Sequence, residues 1–372
     1  MNLLPPSGPR CWAEVSAAAL RHNVAALRAR APEGAALMAV VKADAYGHGV
    51  DRVLPVLRGL VEWLAVANFQ EARHVRALAP GLPVLILGPA LPEERSWIAA
   101  EGFVPVVSNF EEAAAFAACA RSGPVAVHLA VDTGMGRVGV CESGALALAA
   151  QIQALSGVRV TGLGSHFPSA DEDDDFTRRQ ALRFDALARA MREQRLVDGP
   201  VHIANSAGMI GFPDSARELF RAGLALYGCS PRPEFQSALK PVLTWKTRVT
   251  LVREVAAGDG ISYGSTFVAK EPMKVATLAV GYADGYRRHL SGRGAEVLVG
   301  GRRCSVLGRV TMDQIMVDVS RVEGVCAGTE VVLLGAQGGE ALSVSELAER
   351  AGTIPWDLFT GIGSRVERQA AG

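Results

Sequence analysis

Short apolar runs alternate with longer amphipathic stretches over the first 240 residues of the chain. A run of four to eight apolar residues, many of them β-branched, is typical of a strand buried on both faces. Stretches in which Ala and Leu recur every three or four positions, such as residues 16–30, predict amphipathic helices. The predicted strands are residues 38–41, 63–67, 84–87, 103–107, 125–131, 158–163, 201–204 and 222–227.

These runs define about eight strand–helix units, the number that closes a parallel sheet into a barrel with helices outside it. Residues 1–240 are therefore predicted to form a (β/α)8 barrel, with residues 1–14 packing on the domain that follows. An open, doubly wound sheet is the alternative, because counting units in one sequence can gain or lose a strand.

The pattern changes near residue 241, where residues 242–255 alternate between apolar and polar side chains. Alternation with a period of two predicts strands that bury one face. Residues 241–372 are thus predicted to be a mostly-β domain, with a short helix over residues 344–351 and an extended tail. Further strands are expected over residues 274–280, 296–310, 315–319 and 330–334.

Composition narrows the possible partners of this chain. The 372 residues carry no formal net charge and are 49% hydrophobic, which allows a large core and two domains. Interspersed charges argue against nucleic acid and membrane surfaces, so the expected partner is a small molecule or a second copy of the chain. Six scattered cysteines indicate free thiols and no metal site, and the absence of a signal-peptide pattern favours a cytoplasmic protein.

Residues able to do chemistry follow five of the predicted strands, at the carboxyl end where a barrel places its active site. Lys42 follows the first strand, where a desolvated lysine must be paired or bonded to a carbonyl carbon. The same lysine could also extend its stem to solvent, so Lys42 alone leaves both readings open. The other rim residues are Tyr46, Asp132, Thr133, Gly134, Arg137, His166, Asn205, Ser206, Arg221, Gly223 and Leu224.

An amine among glycine-rich turns is the arrangement by which a Schiff-base lysine holds a phosphorylated aldehyde cofactor. The segments ANSAG, residues 204–208, and RAGLALYG, residues 221–228, would supply backbone N–H donors and the Ser206 hydroxyl to the phosphate, and Tyr46 a phenol. Each segment by itself is more often an ordinary turn than a phosphate site.

Eight segments resemble alanine racemase, a pyridoxal-phosphate enzyme of fold type III. They are AVVKADAYGHG, HLAVDTGMGRVG, SHFPSAD, ANSAG, RAGLALYG, SYGSTF, GYADGYRR and GRVTMDQ, in the family's order, and the resemblance runs from residue 12 to 366. It implies a barrel with a C-terminal β domain, pyridoxal 5'-phosphate as cofactor, and interconversion of L- and D-alanine for peptidoglycan. It also implies a head-to-tail homodimer in which the partner's β domain completes each active site.

The resemblance assigns Lys42 as the Schiff-base lysine and the base on the D-face, and Tyr263 of the other subunit as the base on the L-face. Inversion of a carbon requires two such bases, because one must remove a proton and another return one on the opposite face. Without the resemblance, Tyr263 would be interpreted as a strand aromatic packed on the β domain.

The remaining roles also come from the resemblance. Arg221 faces the pyridine nitrogen and must leave it an unprotonated acceptor, since a guanidinium only donates. His166 links Arg221 to the tyrosine base. Arg137 contacts the cofactor's phenolic oxygen and the substrate carboxylate, to which Met312 offers a backbone N–H. The implied cofactor contacts also include Tyr46, Asn205, Ser206, Gly223, Leu224 and Trp356, and the implied entrance is formed by Asp171, Tyr282, Arg288, Arg309 and Ile354.

Two positions depart from the family pattern. Ala130 stands where many members have a carbamylated lysine that braces the arginine, so Arg137 must be held by water, an anion or another side chain. Trp356 replaces a tyrosine expected near the phosphate and the substrate methyl. These departures make a racemase of broader or different specificity the main alternative. A non-catalytic pyridoxal-phosphate-binding protein and a decarboxylase of similar architecture are further alternatives, although the second domain with Tyr263 and Met312 argues against the first, and GYADGY and SYG fit a racemase better than the second.

Overall fold

A computed structural model describes residues 8–216 and 218–371, which divide by their contacts into two compact units. The barrel unit comprises residues 18–45 and 54–240. The β unit comprises residues 8–17, 46–53 and 241–371. The segment 46–53 belongs to the second unit although it lies within the first 240 residues, a grouping that the sequence pattern did not predict.

Eight parallel strands follow one another around the barrel unit. Neighbours in the chain are also neighbours in the sheet, and the last strand in the chain pairs with the first, with Arg221 opposite Met38. The N–H of Arg221 donates to the carbonyl oxygen of Ala204 at 2.9 Å and bridges the remaining seam. The predicted (β/α)8 barrel is confirmed. Its strands are Ala36–Val40, Trp63–Val66, Val84–Ile86, Val104–Val107, Val125–Asp132, Val158–Gly164, Val201–His202 and Leu219–Ala222, with Val140–Cys141 added beside Val125–Asp132.

Helices alternate with these strands, and polar side chains fix where several of them begin. The side chains of Asn68, Asn109 and Asp173 each accept from the backbone N–H three residues later, which satisfies a donor that a helix leaves unpaired. No helix among the described residues has both the length and the apolar character needed to cross a bilayer. The helices are Ala17–Arg30, Val50–Leu57, Phe69–Leu78, Arg95–Ala100, Phe110–Ala118, Ala145–Gln153, Asp174–Glu193 and Ser206–Gly211.

The eighth strand lies earlier than predicted. Residues 222–227 were expected to be a strand, but the strand is Leu219–Ala222 and Leu224–Tyr227 is a single 3-10 turn. The prediction was wrong because Arg221, a charged residue, lies inside a fully buried strand and hides its apolar character. The other barrel strands match the predicted runs with shifts of one or two residues at their ends.

A single large sheet forms the β unit, and its longest strand, Leu243–Val255, pairs on both sides. Its first half alternates between buried and partly exposed residues, as the period-two pattern predicted. Cys11–Val15 pairs antiparallel with it. In sheet order the strands are Glu340–Leu342, Glu330–Gln337, Glu296–Val299, Arg302–Leu307, Ile315–Asp318, Met273–Leu278, Leu243–Val255, Cys11–Val15 and Glu367–Ala370, with a separate hairpin of Gly260–Ile261 and Phe267–Val268.

The C-terminal segment differs from its predicted extended form. Helix Val344–Ala351 is followed by a second short helix, Pro355–Thr360, and by the strand Glu367–Ala370, which runs parallel to Cys11–Val15. The prediction missed this helix because its six residues make too few turns to show a helical period, although it starts with a proline, which is favoured at the first helical position. The run 296–310 contains two strands joined at Gly300 and Gly301, both with positive φ.

The backbone after Lys42 forms one turn of left-handed helix. Ala43, Asp44, Ala45 and Tyr46 have φ between 52° and 54°. For residues that carry a Cβ, this conformation costs roughly 1–2 kcal/mol each. Strain of this kind persists only where surrounding contacts over-determine it, and it concentrates at functional sites.

We predict that Ala43→Gly stabilises the protein by about 0.5–1 kcal/mol. Glycine adopts the left-handed conformation at this exposed position without the steric penalty that alanine carries. This stabilisation of the folded state exceeds the extra free energy needed to order the more flexible glycine on folding. The matched control is Ala25→Gly in the exposed face of helix Ala17–Arg30, which should destabilise by about 1 kcal/mol. Urea unfolding of the three proteins measures both changes, and equal destabilisation by the two substitutions would contradict the prediction.

Candidate active site

Lys42 begins the left-handed turn at the carboxyl end of strand Ala36–Val40, on the rim of the barrel. The Glu71 carboxylate accepts from the N–H of Ala43 and from that of Ala67, each at 2.8 Å, so it joins the ends of two neighbouring strands. Burial lowers the pKa of Lys42, the positive charges of Arg137 and Arg221 lower it further, and Glu71 partly opposes them. A lysine with a lowered pKa has more of the neutral amine that attacks a carbonyl carbon.

Arg221 lies inside the barrel with 5% of its surface exposed. Its Nη2 donates to the carbonyl oxygens of Ser165 and Ile203, at 2.7 and 3.1 Å, and to Nδ1 of His166 at 3.0 Å. Its Nη1 donates to Nδ1 of His202 at 2.5 Å. Since all these acceptors are neutral, they hold the guanidinium in place without cancelling its charge.

His166 is a neutral side chain in this site. Because its Nδ1 accepts from Arg221, the ring hydrogen is on Nε2. Burial lowers the pKa of His166 to about 3, and the positive charges of Arg221, Arg137 and Lys42 add to the effect. His166 therefore presents an N–H donor, and not a second positive charge, at the rim.

The loop that carries Arg137 is organised by Asp132. Its carboxylate accepts from the N–H groups of Gly134 and Met135 at 2.9 Å and from that of Gly136 at 3.0 Å. Although partial burial acts to raise the pKa of Asp132, these backbone donors hold it below its usual range. The carboxylate is thus used to shape the loop, and the exposed Arg137 side chain is left to meet a ligand.

Buried polar contacts join this loop to the one that carries His166. Thr133 Oγ1 and Ser165 Oγ lie 2.7 Å apart. The amide nitrogen of Gln180 donates to Thr133 Oγ1 at 2.7 Å and to the His166 carbonyl oxygen at 2.9 Å. Asp171, predicted to lie at the entrance, is exposed further along the second loop.

The ANSAG and RAGLALYG segments meet as expected for one site. Asn205 accepts from the N–H of Gly208 at 2.9 Å and so starts a short helix. The N–H of Gly223 donates to Ser206 Oγ at 3.0 Å, which brings the turn starting at the buried Leu224 against that hydroxyl. The Ser206 hydroxyl hydrogen therefore remains available to an acceptor.

The other predicted site residues lie in the β unit. Tyr263 has 70% of its surface exposed and Met312 has 53%, so Tyr263 is not the packed strand aromatic that its sequence context allowed. Their loops touch, because Ser262 Oγ donates to the Arg309 carbonyl oxygen at 2.6 Å. The N–H of Tyr282 donates to the carbonyl oxygen of Thr311 at 3.0 Å.

These loops gather the predicted entrance residues of the β unit on its surface. Tyr282, Arg288, Arg309 and Ile354 are all exposed. Gly264 has a φ of 71°, and a Cβ there would lie 3.4 Å from the Arg309 guanidinium, so Arg309 packs on the loop of Tyr263.

Tyr46 and Trp356 are brought into the same unit. Tyr46 is 8% exposed, and Trp356 is half-buried near the start of helix Pro355–Thr360. The segment after Tyr46 packs on this helix: a Cβ at Gly47 would lie 2.0 Å from the Phe359 carbonyl oxygen, and the rings of His48 and Phe359 are 4.7 Å apart.

Sequence reasoning missed three residues that support the site: Glu71, Gln180 and His202. Glu71 stands three residues after Asn68, a spacing typical of a capping box, but here its carboxylate reaches two strand ends. His202 immediately precedes the ANSAG region on a strand, which was a usable signal. Nothing in the sequence around Gln180 sets it apart from other helical residues.

The charge of the rim suits an anionic ligand. Arg137 and Arg221 are cationic, Lys42 is cationic when protonated, and His166 is neutral. The carboxylates of Asp132 and Glu71 are occupied by backbone N–H groups. A phosphate and a carboxylate would both be attracted here. Among the described residues, no group of three or more His, Cys, Asp or Glu side chains could hold a metal ion. All six cysteines lie among the described residues and are free thiols, as predicted.

The parallel barrel with a rim lysine, followed by a mostly-β unit, defines a two-domain architecture with a lysine at the barrel mouth. Sequence models of the alanine racemase N-terminal and C-terminal domains match residues 15–231 and 242–370. The chain belongs to the alanine racemase family, which confirms the resemblance found in its sequence.

Individual relatives agree along almost the whole chain. It is 41% identical to the alanine racemase of Halothermothrix orenii, over 96% of each chain, and 39% identical to that of Methylacidiphilum infernorum, over 98% of this chain and 93% of the relative. Among solved structures, alanine racemase from Streptomyces lavendulae aligns with a TM-score of 0.90 at 36% identity, covering 99% of this chain and 98% of that one. A biosynthetic alanine racemase from Pseudomonas aeruginosa aligns with a TM-score of 0.87 at 34% identity, covering 98% and 100%.

We predict that the free energy of unfolding falls as the pH drops below 6.5. Burial lowers the pKa of His128 and of His166 from 6.5 to about 3, so below pH 6.5 the unfolded chain binds protons that the folded chain refuses. Between these two pKa values, each such histidine changes the free energy of unfolding by about 1.4 kcal/mol per pH unit. Urea unfolding at a series of pH values measures it.

His128→Asn provides the comparison for that slope, because it removes one buried base. The difference between the two proteins isolates the histidine from titrating carboxylates, and the variant should show the shallower dependence. Parallel profiles for the two proteins below pH 6.5 would contradict this account.

Proposed function

We propose that this chain is a pyridoxal-phosphate-dependent racemase that interconverts L-alanine and D-alanine and supplies D-alanine for peptidoglycan. The main support for the proposal is the cluster of side chains at the barrel rim. It consists of Lys42 with a lowered pKa, Arg137 and Arg221, whose charges contribute to that lowering, and the neutral His166. A related structure from Bacillus anthracis, 34% identical and with a TM-score of 0.89, is described with bound L-Ala-P.

The residues of the rim fit the proposed cofactor. Lys42 would hold its aldehyde carbon covalently, and Ser206 with the turn after Gly223 would hold its phosphate. Asn205 and Leu224 would lie beside that phosphate. The family resemblance also assigns Tyr46 and Trp356 as contacts of the cofactor. When bound, pyridoxal phosphate supplies a conjugated ring that withdraws electrons from the substrate's Cα.

Lys42 and Tyr263 would act as the two bases. Lys42 would move the proton on the D-face, and the lowered pKa of its amine favours the neutral form that accepts a proton. Tyr263 would act on the L-face, and its exposed position leaves the phenol free to enter a site.

Arg221 would set the electronic character of the site. A guanidinium offers donors only, so a ring nitrogen facing Arg221 must remain an acceptor. The cofactor would then withdraw electrons less strongly, and Arg221 would in this way disfavour protonation at a wrong carbon. His166, with its hydrogen on Nε2, would connect Arg221 to the phenol of Tyr263.

The active site would be shared between two copies of the chain. Tyr263 and Met312 lie on touching loops of the β unit and are largely exposed, as expected for residues that a second subunit covers. The backbone N–H of Met312 and the side chain of Arg137 would bind the substrate carboxylate. Asp171, Tyr282, Arg288, Arg309 and Ile354 would line the entrance.

A broader side-chain range is the second candidate. Ala130 is a buried alanine at the end of strand Val125–Asp132, so no side chain at this position can brace Arg137. A less constrained Arg137 and the bulk of Trp356 would both alter how closely the substrate side chain is held. Incubation of the protein and cofactor with single L-amino acids, followed by chiral chromatography, distinguishes alanine specificity from a broader range.

We predict that Tyr263→Phe lowers the rate of racemisation by about 10²- to 10⁴-fold while the cofactor remains bound. In deuterated water the variant should still exchange the Cα hydrogen of D-alanine, which Lys42 removes, but exchange from L-alanine should be lost. Lys42→Ala should lose covalent attachment of the cofactor as well as activity. Val268→Ala, in the neighbouring hairpin, is the control for local disturbance. Unchanged exchange from both enantiomers in Tyr263→Phe would disprove the two-base assignment.

We also predict that two inactive variants restore activity when their subunits are mixed. A dimer of one Lys42→Ala subunit and one Tyr263→Phe subunit has one site with both bases, so random exchange should recover about one quarter of the wild-type activity. Unfolding and refolding the two variants together, with each refolded alone as control, tests this. Absence of recovery in a mixture shown to contain mixed dimers would mean that both bases come from one chain.

A further inference from the structure

A chain of hydrogen bonds runs from the rim arginine into the closed interior of the barrel. Arg221 Nη1 donates to His202 Nδ1 at 2.5 Å, and His202 Nε2 lies 2.9 Å from His128 Nδ1. His202 is 3% exposed and His128 is completely buried. The three side chains come from three different strands of the barrel.

The donors and acceptors along this chain show which ring nitrogen carries hydrogen in each histidine. A guanidinium can only donate, so His202 Nδ1 must be an acceptor and the hydrogen of His202 is on Nε2. That hydrogen needs an acceptor, and His128 Nδ1 is the atom it faces. His128 therefore carries its own hydrogen on Nε2.

Two glycines make room for the rings. A Cβ at Gly162 would lie 2.4 Å from His128 Nε2, and a Cβ at Gly164 would lie 2.5 Å from His202 Cε1. Any other residue at these two positions of strand Val158–Gly164 would displace an imidazole. The barrel thus gives up side-chain packing on one strand to hold both histidines.

The Nε2–H group of His128 is unfavourable for the stability of the fold. Within the described part of the chain its Nε2 has no hydrogen-bond partner, although the ring is completely buried. A buried N–H without a partner destabilises a fold, and an apolar residue of similar size would avoid that loss. In exchange, the acceptor Nδ1 makes a hydrogen bond to His202 that an apolar residue could not make.

We propose that His128 is a positioning residue for Arg221: by accepting from His202 it holds His202 in the one tautomer that can accept from the guanidinium. The inference rests on the proposed role of Arg221 at the cofactor nitrogen. His128 does not itself touch a reacting group. If His202 changed tautomer, two N–H groups would face each other across the Arg221 contact, and the guanidinium would move.

The test uses the holoenzyme with ¹⁵N-labelled histidine. The seven histidine rings are assigned by single substitutions, and the long-range ¹H–¹⁵N spectrum reports which nitrogen of each ring carries hydrogen. His128→Leu removes the acceptor, and His128→Asn retains one, since an asparagine oxygen overlies the position of Nδ1. Leu129→Val, on the same strand and also completely buried, controls for loss of packing.

In the wild type we expect His202 and His128 both to carry hydrogen on Nε2. In His128→Leu the His202 Nδ1 signal should move towards the protonated form and kcat should fall about tenfold with little change in KM, whereas His128→Asn should restore most of both. Leu129→Val should lower stability and leave the His202 signal in place.

The proposal is overturned if wild-type His128 carries hydrogen on Nδ1. It is equally overturned if the His202 signal is the same in His128→Leu as in the wild type, or if Leu129→Val moves that signal as far. The nitrogen signals do not depend on racemisation, so a failure of the proposed function would show as absent activity with the tautomers as expected. If His128→Leu does not fold, the wild-type tautomers and the His128→Asn spectrum still decide.

Discussion

A permanently charged guanidinium inside a closed barrel requires acceptors on every side, and Arg221 imposes that requirement on the strands around it. It is 5% exposed and donates to backbone carbonyl oxygens and to ring nitrogens of His166 and His202. Neutral acceptors replace lost hydration while leaving the positive charge in place. Burial is the main cause of the lowered pKa values of Lys42 and His166, and the charge of Arg221 adds to it.

The carboxylates of the rim serve the backbone. Glu71 accepts from two N–H groups at neighbouring strand ends, and Asp132 accepts from the N–H groups of three successive loop residues. Used in this way, the carboxylates hold the turn after Lys42 and the loop of Arg137 in shape, and the cations stay available to a phosphate or a substrate carboxylate. The left-handed turn after Lys42 is strained, and the Glu71 carboxylate holds the N–H of Ala43 at its start.

Much of the architecture was predictable because buried parallel strands and one-sided antiparallel strands leave different periods in a sequence. The barrel and the β unit were both predicted from those periods. The strand Leu219–Ala222 was misplaced, since the buried Arg221 breaks the apolar run that marks a strand. Helix Pro355–Thr360 was missed, since a short helix has too few turns to show a period. The grouping of residues 46–53 with the β unit leaves no trace in local patterning.

The sequence by itself determined the fold class, the family and the identity of the rim residues, because strand periodicity and the residues after each strand are local properties. Tertiary structure alone decided what each side chain is bonded to. It set the hydrogen on Nε2 of His166, placed Glu71 at two strand ends and Gln180 between two loops, and linked His202 and His128 to Arg221. These contacts join residues far apart in the chain, and a hydrogen bond depends on atomic distance and direction, which no local pattern records.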